Sequence, residues 1–593
     1  MRIVLLVAAL GVLGTSALLV LIYGTAGYAE IAALRQVAYF EFHVDGPVYL
    51  ALGVTPAAYA QFRLGLLLVL GGSLAGTAYL LGRRAFRLEG RRLIRELRGA
   101  VLALRRTVAA RSRAELGLAG GLLLALGGVQ LAWLGIDSLS PDELVSYDAF
   151  VHQGPVAITG YYPIPNNHML YNLLCWGLKL ALPGQVQAIM RLPSFLISTL
   201  GTVLSYALLT YFRSFRVATV VTASFGFSEI AVGYAAAGRG YFLQLVCLQF
   251  AFFAVLTLLT RPRGRRLAWT VFIGSCNAGL YAVPTFAVPA LALGLVLLGA
   301  GATFTGRRRA YFLGQVLATG LAIGGLAALL YWPVGSISGW PRLLGNRYVA
   351  SQSLADFLLF GKNYLYDTAG LLYGQPRAAL VLWGAVVLGA PVVLARPGQL
   401  AATRWLVAAS WALVAVPAAV MVMKRVFIPA RALLYTTYFL YLLVALAIDY
   451  VWQRWPRKWP ARAAAGAVAA VLVLKLLALG AQLPVLWQSR ARAATAVQAY
   501  QWLQRRPAGP VFIGAPYYGL LFYHFGLLDN RPLPMRYRHR PGEYFRYVVM
   551  PQGQPLQPSE WALNPALRVR YQDELVTIYG NATHKTATRK AIP

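Results

Sequence analysis

The sequence predicts an all-α polytopic membrane protein that carries a small external α/β domain at its carboxyl end. Of the 593 residues, 59% are hydrophobic and 12% are charged, whereas soluble domains are about 45–50% apolar and about 25% charged. Apolar stretches of about 20 residues, the length that a helix needs to cross a bilayer, recur along most of the chain. After residue 484, prolines, tyrosines and charged residues replace these stretches, which indicates a domain outside the membrane.

The net charge of +35 suits a nucleic-acid-binding protein, but the positions of the arginines indicate a membrane protein. Most of them lie in short runs between apolar stretches, where basic residues mark the cytoplasmic ends of membrane helices. The largest run, 83–113, contains eleven arginines and two glutamates. We therefore expect 83–113 on the cytoplasmic side, as a surface helix on anionic lipid, and we expect no binding of nucleic acid.

The apolar stretches predict thirteen membrane helices. The first two, near 3–24 and 62–82, belong to an amino-terminal extension over 1–114. A third helix near 115–135 begins a core that we place at 115–483. The other ten helices are expected near 192–212, 217–236, 240–260, 267–283, 284–300, 311–333, 377–395, 402–422, 432–450 and 462–482.

The loop charges predict which side of the membrane each loop occupies. The segment 136–190 is too polar and too rich in proline to cross the membrane, so we place it outside, with 168–182 at the membrane surface. With this choice almost all basic loops fall on the cytoplasmic side, as the positive-inside rule requires. The exception is an external basic cluster of Lys424, Arg425 and Arg431, which needs a functional explanation.

The external carboxy-terminal domain is expected over 484–593. A helix over 494–504 and strands over 510–513 and 544–550 predict a compact α/β fold. The three cysteines, Cys175, Cys247 and Cys276, lie in apolar surroundings without the spacing of metal ligands. The sequence therefore predicts neither a disulfide framework nor a zinc site.

An acidic pair, Asp142 and Glu143, follows the third helix where it reaches the outer surface. A carboxylate at this boundary can act as a general base or hold a divalent cation, because both tasks need a fixed negative oxygen beside a hydroxyl or phosphate. The alternative is structural, with Ser140 or Asp142 capping a helix and an acid near its positive end. Taken alone, the pair favours the structural role.

Further polar residues share the outer face with this pair. His168 and Tyr171 lie in the same loop, Arg191 begins the next span, and Arg239 and Tyr241 lie at a later outer turn. A single arginine near a helix end usually extends to the interface, and a single histidine is usually structural. Their accumulation on one side of the membrane favours a functional site.

The order of these motifs resembles the GT-C glycosyltransferases, in particular the branch of the protein O-mannosyltransferases and the bacterial lipid A aminoarabinose transferase. The resemblance covers 115–450. The matching segments are Asp142-Glu143, Asn167-His168, Arg191-Leu-Pro-Ser194, Arg239 with Tyr241, and Pro429-Ala-Arg431 with Tyr435. The chain departs from the family in two ways: Met169 and Leu170 replace the prolines after the histidine, and two helices precede the common core.

The resemblance implies a transferase that takes a sugar from a polyprenyl-phosphate donor at the periplasmic face of a bacterial inner membrane. Asp142 and Glu143 are then the catalytic pair, with Asp142 as the base in an inverting attack by a hydroxyl or amine of the cell envelope. The substrate-binding residues are then His168, Tyr171, Arg191, Arg239, Tyr241, Lys424, Arg425 and Arg431, whose cations offset the charge of the leaving phosphate. No nucleotide is expected, because the sequence lacks a phosphate-binding glycine loop. The sequence does not decide whether the transferase uses a divalent metal.

A transporter or flippase of a lipid-linked saccharide is the alternative function. Such proteins place charged residues in the middle of their helices and often consist of repeated halves with broken helices. Glu229 and Lys475 are the intramembrane candidates, and the sequence shows no internal repeat.

Overall fold

A computed structural model of the chain describes residues 1–40, 46–345, 350–395, 401–454, 461–538, 543–554, 556 and 567–581. In this part of the chain, ten helices are long and apolar enough to cross a membrane, and two bent helix pairs raise the number to twelve if each pair is one span. Together with a small sheet near the carboxyl end, these helices confirm the predicted fold class of a polytopic helical membrane protein.

The amino-terminal extension is built from two long helices that pack against each other and against the core helix Gly306–Val334. A short antiparallel hairpin lies between them, and a basic helix follows. The elements are α1 Arg2–Thr25, α2 Tyr28–Ala33, β1 Ala38–Phe40, β2 Pro47–Tyr49, α3 Pro56–Gly82 and α4 Arg84–Ala109.

The core contains long membrane helices and several short helices in the loops between them. Helix α8 has 13 residues, too few to span a bilayer. The elements are α5 Arg113–Ile136, α6 Pro141–Ser146, α7 Pro155–Gly160, α8 Met169–Ala181, α9 Val186–Phe212, α10 Phe215–Gly226, α11 Glu229–Ala236, α12 Tyr241–Thr260, α13 Arg265–Ala282, α14 Ala287–Ala302, α15 Gly306–Val334, α16 Trp340–Leu344, α17 Leu354–Tyr373, α18 Pro376–Ala395, α19 Ala401–Lys424 and α20 Leu434–Arg454.

One predicted helix, near 217–236, is wrong in detail because the chain breaks in its middle. Helices α10 and α11 meet at 72°. The Ser228 hydroxyl accepts a hydrogen bond from the Ala231 N–H (3.4 Å) and so begins a new helix at this point. A second bend, of 94°, separates α17 from α18, where Gly374 adopts φ +85° just before Pro376.

The predicted count of thirteen spans is one more than the twelve that the described residues contain when each bent pair is counted as one span, and α13 accounts for that one. Its 18 residues begin with two arginines and include Asn277, so it is less apolar than the helices that qualify as spans. It packs along α12, and Arg266 at its start lies 2.5 Å from Glu89 and 3.0 Å from Glu96 of α4. These pairs bring two arginine-rich segments to one side of the bundle, as the loop charges predict.

The carboxy-terminal domain contains a five-stranded sheet in the order β4-β3-β5-β7-β6. Strand β3 runs parallel to β4 and β5, and β7 runs antiparallel to β5 and β6. The helices predicted at 462–482 and 494–504 are parts of one helix, so the boundary that we placed at residue 483 falls inside it. The elements are α21 Ala461–Gln504, β3 Val511–Ile513, α22 Pro516–Leu528, β4 Met535–Arg536, β5 Tyr547–Pro551, β6 Leu567–Gln572 and β7 Val576–Asn581.

The carboxy-terminal domain packs directly on α6, the helix that carries the acidic motif. Leu144 and Val145 are buried in the hydrophobic cluster of the domain. In addition, Nδ1 of His524 from α22 lies 2.7 Å from a carboxylate oxygen of Asp148, and both side chains are buried. The domain therefore helps to fix the position of α6.

Candidate active site

The acidic motif lies in the first turn of α6, which Ser140 caps. The Ser140 hydroxyl accepts a hydrogen bond from the Glu143 N–H (3.3 Å), and the Glu143 carboxylate accepts one from the Ser140 N–H (2.8 Å). This reciprocal pair satisfies two N–H groups that a helix start leaves free, and Pro141 occupies the first helical position, where no N–H is needed. The backbone of Asp142 is therefore held on both sides.

Glu143 forms a buried ion pair with Arg191 of α9. Nε and Nη2 of Arg191 each lie 2.9 Å from one carboxylate oxygen, and the Gly238 N–H donates to the same carboxylate (2.6 Å). Burial would raise the pKa of Glu143, but the charge and hydrogen bonds of Arg191, with the N–H groups of Ser140 and Gly238, lower the pKa below its ordinary value. Glu143 thus joins α6 to α9 and to the turn after α11.

Lowering the pH is expected to remove the stabilisation that the Glu143 carboxylate supplies. Because its pKa is lower in the folded state than in the unfolded state, this stabilisation is present above the ordinary pKa of 4.5 and is lost as the pH falls below it. Thermal unfolding of wild type and Glu143→Gln should therefore differ most at neutral pH and converge in acid. A difference that stays constant down to strongly acidic pH would contradict this assignment.

Asp142 differs from Glu143 because its carboxylate reaches the surface. One carboxylate oxygen lies 3.3 Å from Nη1 of Arg431 and 3.8 Å from Nη2 of Arg239. The side chains of Asp142 and Arg431 are 25% and 34% exposed, whereas that of Arg239 is only 3% exposed. Asp142 and Arg431 therefore form an ion pair that a substrate can reach.

Arg239 is held by hydrogen bonds to the segment that follows Asp142. Its Nη1 donates to the Asp142 carbonyl (3.1 Å) and to the Ser146 hydroxyl (2.8 Å). Its Nη2 donates to the Asn166 side-chain oxygen and to Nε2 of His168 (2.9 Å). The sequence analysis identified Arg239 and His168 but missed Ser146. The one feature that could have indicated Ser146 is its position, one helical turn after Asp142.

His168 is a neutral hydrogen-bond acceptor in this network. Burial lowers the pKa of His168 well below its ordinary value, and the charges of Arg239 and Arg431 lower it further. The ring packs against Tyr241, with 4.8 Å between the ring centroids. Gly240 permits this packing, because a Cβ at that position would lie 2.9 Å from Nδ1 of His168. Glycine is therefore required at position 240 because a larger residue would clash with His168.

Tyr171 and Arg191 are buried, unlike the partly exposed Asp142 and Arg431. Tyr171 is fully buried, and its hydroxyl donates to the Met190 carbonyl and accepts a hydrogen bond from the Ser194 hydroxyl (2.9 Å). These contacts join α8 to the turn of α9 that carries Arg191. The structure therefore gives both residues contacts within the fold, and their substrate-binding role stays a prediction.

The external basic cluster divides into two parts. Arg431 reaches Asp142, whereas Lys424 and Arg425 are exposed at the end of α19. The Arg425 carbonyl accepts a hydrogen bond from the Gln352 N–H (2.9 Å), which connects this turn to the segment before α17. Arg431 is thus the cation of the cluster that lies at the acidic motif.

An apolar cavity of about 130 Å³ lies between α17, α18, α19 and the start of α20. Its lining includes Tyr364, Trp383, Met421 and Leu433. Leu433 lies two residues after Arg431, so the segment that carries Arg431 continues into one wall of the cavity. This cavity could not be predicted from the sequence, because it depends on how four successive helices pack against one another.

Two solved structures similar to this chain are those of ArnT from Cupriavidus metallidurans, one bound to undecaprenyl phosphate and one in the apo state. Both are 13% identical to this chain, and each alignment covers 79% of this chain and 98% of that chain. The TM-scores are 0.42 for the bound form and 0.40 for the apo form. No protein-family model matches the sequence, and no curated protein matches it.

The charges around Asp142 suit the binding of an anion. Its two ion-pair partners are the guanidinium groups of Arg239 and Arg431. Within the described part of the chain, no three His, Cys, Asp or Glu side chains come together as metal ligands. A phosphate fits beside the accessible Arg431, because a guanidinium group binds phosphate through paired hydrogen bonds.

Proposed function

We propose that this protein is a membrane glycosyltransferase that moves a sugar from a polyprenyl-phosphate donor to a hydroxyl or amine acceptor of the cell envelope. The partly exposed pair of Asp142 and Arg431 carries the proposal, because it places a proton acceptor beside a phosphate-binding cation. The segment that carries Arg431 continues into the wall of an apolar cavity. We place the site at the periplasmic face of a bacterial inner membrane, opposite the arginine-rich loops.

Arg431 is the proposed partner of the donor phosphate. A guanidinium group presents two N–H donors in the geometry that phosphate oxygens accept, and the Arg431 side chain is accessible. Lys424 and Arg425, exposed nearby on the chain, add positive potential that attracts the anionic headgroup. Arg239 is too deeply buried to contact the substrate directly and is proposed to hold the backbone of Asp142 in place.

The apolar cavity supports a lipid-linked donor. Burying each methylene group of a hydrocarbon chain contributes about 0.8 kcal/mol, and the cavity walls are almost entirely apolar. The Tyr364 hydroxyl donates to the Ile428 carbonyl, so the same helix that lines the cavity supports the segment before Arg431. In this arrangement the first part of the polyprenyl chain enters the cavity and the rest lies in the bilayer.

In the proposed reaction, the acceptor oxygen or nitrogen attacks the anomeric carbon while the bond from that carbon to the phosphate oxygen breaks. Asp142 takes the proton of the acceptor, and the electron pair of the broken bond remains on the polyprenyl phosphate, beside Arg431. Attack from the side opposite the leaving group inverts the anomeric centre. The phosphate competes with Asp142 for Arg431, so donor binding also frees the carboxylate to act as a base.

Other residues of the site are proposed as positioning residues. Glu143 and Arg191 fix α6, and Arg239 with His168 fixes the backbone around Asp142. Tyr241 supports the His168 ring. This assignment moves Glu143 from the catalytic pair that the resemblance implies to a supporting role.

A transporter of a lipid-linked saccharide receives less support. Both intramembrane charges have a polar neighbour within the fold: the Gln482 amide donates to the Glu229 carboxylate, and the Lys475 ammonium donates to the Tyr441 hydroxyl (3.3 Å). These contacts give the charges a structural reason. They leave no need for a moving substrate to explain them.

The test measures release of polyprenyl phosphate by the purified protein in proteoliposomes, with defined polyprenyl-phosphate sugars and a mixture of hydroxyl and amine acceptors. We expect release with at least one donor, and we expect Arg431→Gln to raise the KM for that donor. Arg342→Gln, an exposed arginine of α16, is the matched control and should leave the KM unchanged. Movement of intact donor across the bilayer without release would overturn the proposal in favour of the transporter.

Arg425→Gly is expected to stabilise the fold by about 0.5–1 kcal/mol while weakening the binding of polyprenyl phosphate, because relief of the left-handed backbone exceeds the entropy cost of glycine. Arg425 has φ +50°, and its N–H and that of Val426 bond to carbonyl groups of the last turn of α19. Glycine is usual at this position because it has no Cβ to crowd the left-handed backbone. Thermal unfolding and equilibrium binding of a polyprenyl-phosphate analogue measure the two effects.

The matched control for Arg425→Gly is Lys424→Gln, which removes a neighbouring charge without changing the turn. It should leave stability unchanged and weaken binding by a similar factor, if both cations act through their field. Unchanged binding in Arg425→Gly would leave the strained arginine without the proposed role.

A further inference from the structure

Helix α4 has three distinct faces, and the rest of the protein uses only one of them. The first face contains Phe86, Glu89, Leu93 and Glu96, at helical spacings of three and four residues. Phe86 and Leu93 pack against the hydrophobic core, and both glutamates pair with Arg266 of α13. This face attaches α4 to the bundle.

The second face is apolar and uncovered. Its members are Ile94, Leu97, Val101 and Val108, which recur at spacings of three, four and seven residues and are 40–54% exposed. A continuous apolar strip of this kind is unfavourable in water and marks a surface that contacts a partner or a membrane.

The third face is basic. It contains exposed arginines along the length of the helix, namely Arg84, Arg87, Arg91, Arg95, Arg98 and Arg105. The only two carboxylates of α4, those of Glu89 and Glu96, are engaged by Arg266 on the first face. The positive charge of the third face is therefore not offset by any acidic residue of the helix itself.

We propose that α4 is a binding surface for the headgroups of acidic phospholipids. The helix begins two residues after α3 ends and ends four residues before α5 begins, and both neighbours are candidate membrane spans. It must therefore lie at the membrane surface. An apolar strip beside a row of arginines matches the boundary between acyl chains and anionic headgroups, whereas free phosphate would leave the strip uncovered.

Lipid binding at α4 acts on the bundle through Arg266. That residue begins α13 and joins it to α4 by two ion pairs, so a helix anchored to the lipid surface also anchors the turn between α12 and α13. This surface lies on the side of the basic loops, opposite the proposed sugar-transfer site. It requires no sugar transfer to operate.

The test uses two matched positions in the full chain. Leu97 and Leu102 are each 50% exposed, but Leu97 lies on the apolar strip and Leu102 lies between Arg98 and Arg105. Leu97→Cys and Leu102→Cys are labelled with a polarity-sensitive fluorophore in nanodiscs of phosphatidylcholine, with and without phosphatidylglycerol. The three native cysteines are buried, so they stay unlabelled.

With phosphatidylglycerol present, we expect the label at position 97 to be several-fold better shielded from aqueous acrylamide than the label at position 102. Lipids that carry a nitroxide group should quench the label at position 97 more strongly than the label at position 102. Adding Arg91→Gln, Arg95→Gln and Arg98→Gln together should reduce the shielding to its level in phosphatidylcholine, with thermal unfolding in detergent as the check on the fold. Equal access at both positions, or equal shielding in the two lipid mixtures with the native arginines, would overturn the proposal.

Discussion

Replacing Asp142 with asparagine is expected to lower the rate of sugar transfer by about 10²–10⁴-fold, the usual contribution of a general base, while polyprenyl phosphate binds more tightly. The rate falls because the amide cannot accept the proton of the acceptor. Binding strengthens because Asp142 lies 3.3 Å from Arg431 and competes with the phosphate for it. Removing the carboxylate removes both this competition and the repulsion between two anions.

Two measurements separate these effects. Single-turnover release of polyprenyl phosphate at saturating donor gives the rate, and displacement of a fluorescent polyprenyl-phosphate analogue gives the affinity. Asp529→Asn, which changes an exposed carboxylate after α22, is the matched control and should change neither quantity. An unchanged rate would remove Asp142 from the chemistry, and a lower rate with weaker binding would mean that Asp142 holds the donor itself.

The membrane part of the fold could be predicted because a spanning helix is a local property of the sequence. Length and apolarity decide whether a segment can cross, and arginines decide its direction. The ion pairs of Arg266 with Glu89 and Glu96 bring together two segments that the charges alone assigned to one side. The break at Ser228 could not be predicted in this way, because one hydroxyl cap decides it within a continuous apolar stretch.

The sequence singled out Asp142, Glu143 and Arg431, which the structure brings together with Arg191, but the partner of each acid could not be predicted. Asp142 and Glu143 are neighbours, and on a helix successive side chains point about 100° apart. One therefore faces the buried Arg191 and the other faces the open side with Arg431. Which residue takes which position depends on where α9 and α20 pack, and no local pattern contains that information.

The apolar cavity is the feature that is hardest to predict from the sequence. Its walls come from α17 to α20, and its lining residues, such as Trp383 and Met421, are ordinary apolar residues of membrane helices. Only the packing of these helices, with Leu433 close after Arg431 in the chain, gives them a candidate role.

Removing one partner of the Glu143–Arg191 pair is expected to destabilise the protein by about 3–5 kcal/mol, because it leaves a buried charge without a counter-charge. Arg191→Met leaves the Glu143 carboxylate unpaired, and Glu143→Gln leaves the guanidinium unpaired. The double variant buries no charge at this point, so it should lose much less stability than the sum of the two single changes. Thermal unfolding in detergent measures the stability of the wild type, the two single variants and the double variant.

An exposed pair provides the control for this cycle. Arg536 and Glu543 lie 4.0 Å apart with exposed fractions of 67% and 33%, so Arg536→Gln should change stability by less than about 1 kcal/mol.

The double variant Glu143→Gln/Arg191→Met also distinguishes the role of Glu143 from that of Asp142. If Glu143 only positions α6, the folded double variant keeps Asp142 in place and transfers sugar far faster than Asp142→Asn. If its rate falls to that of Asp142→Asn while its stability recovers, Glu143 takes part in the chemistry and the positioning role is wrong.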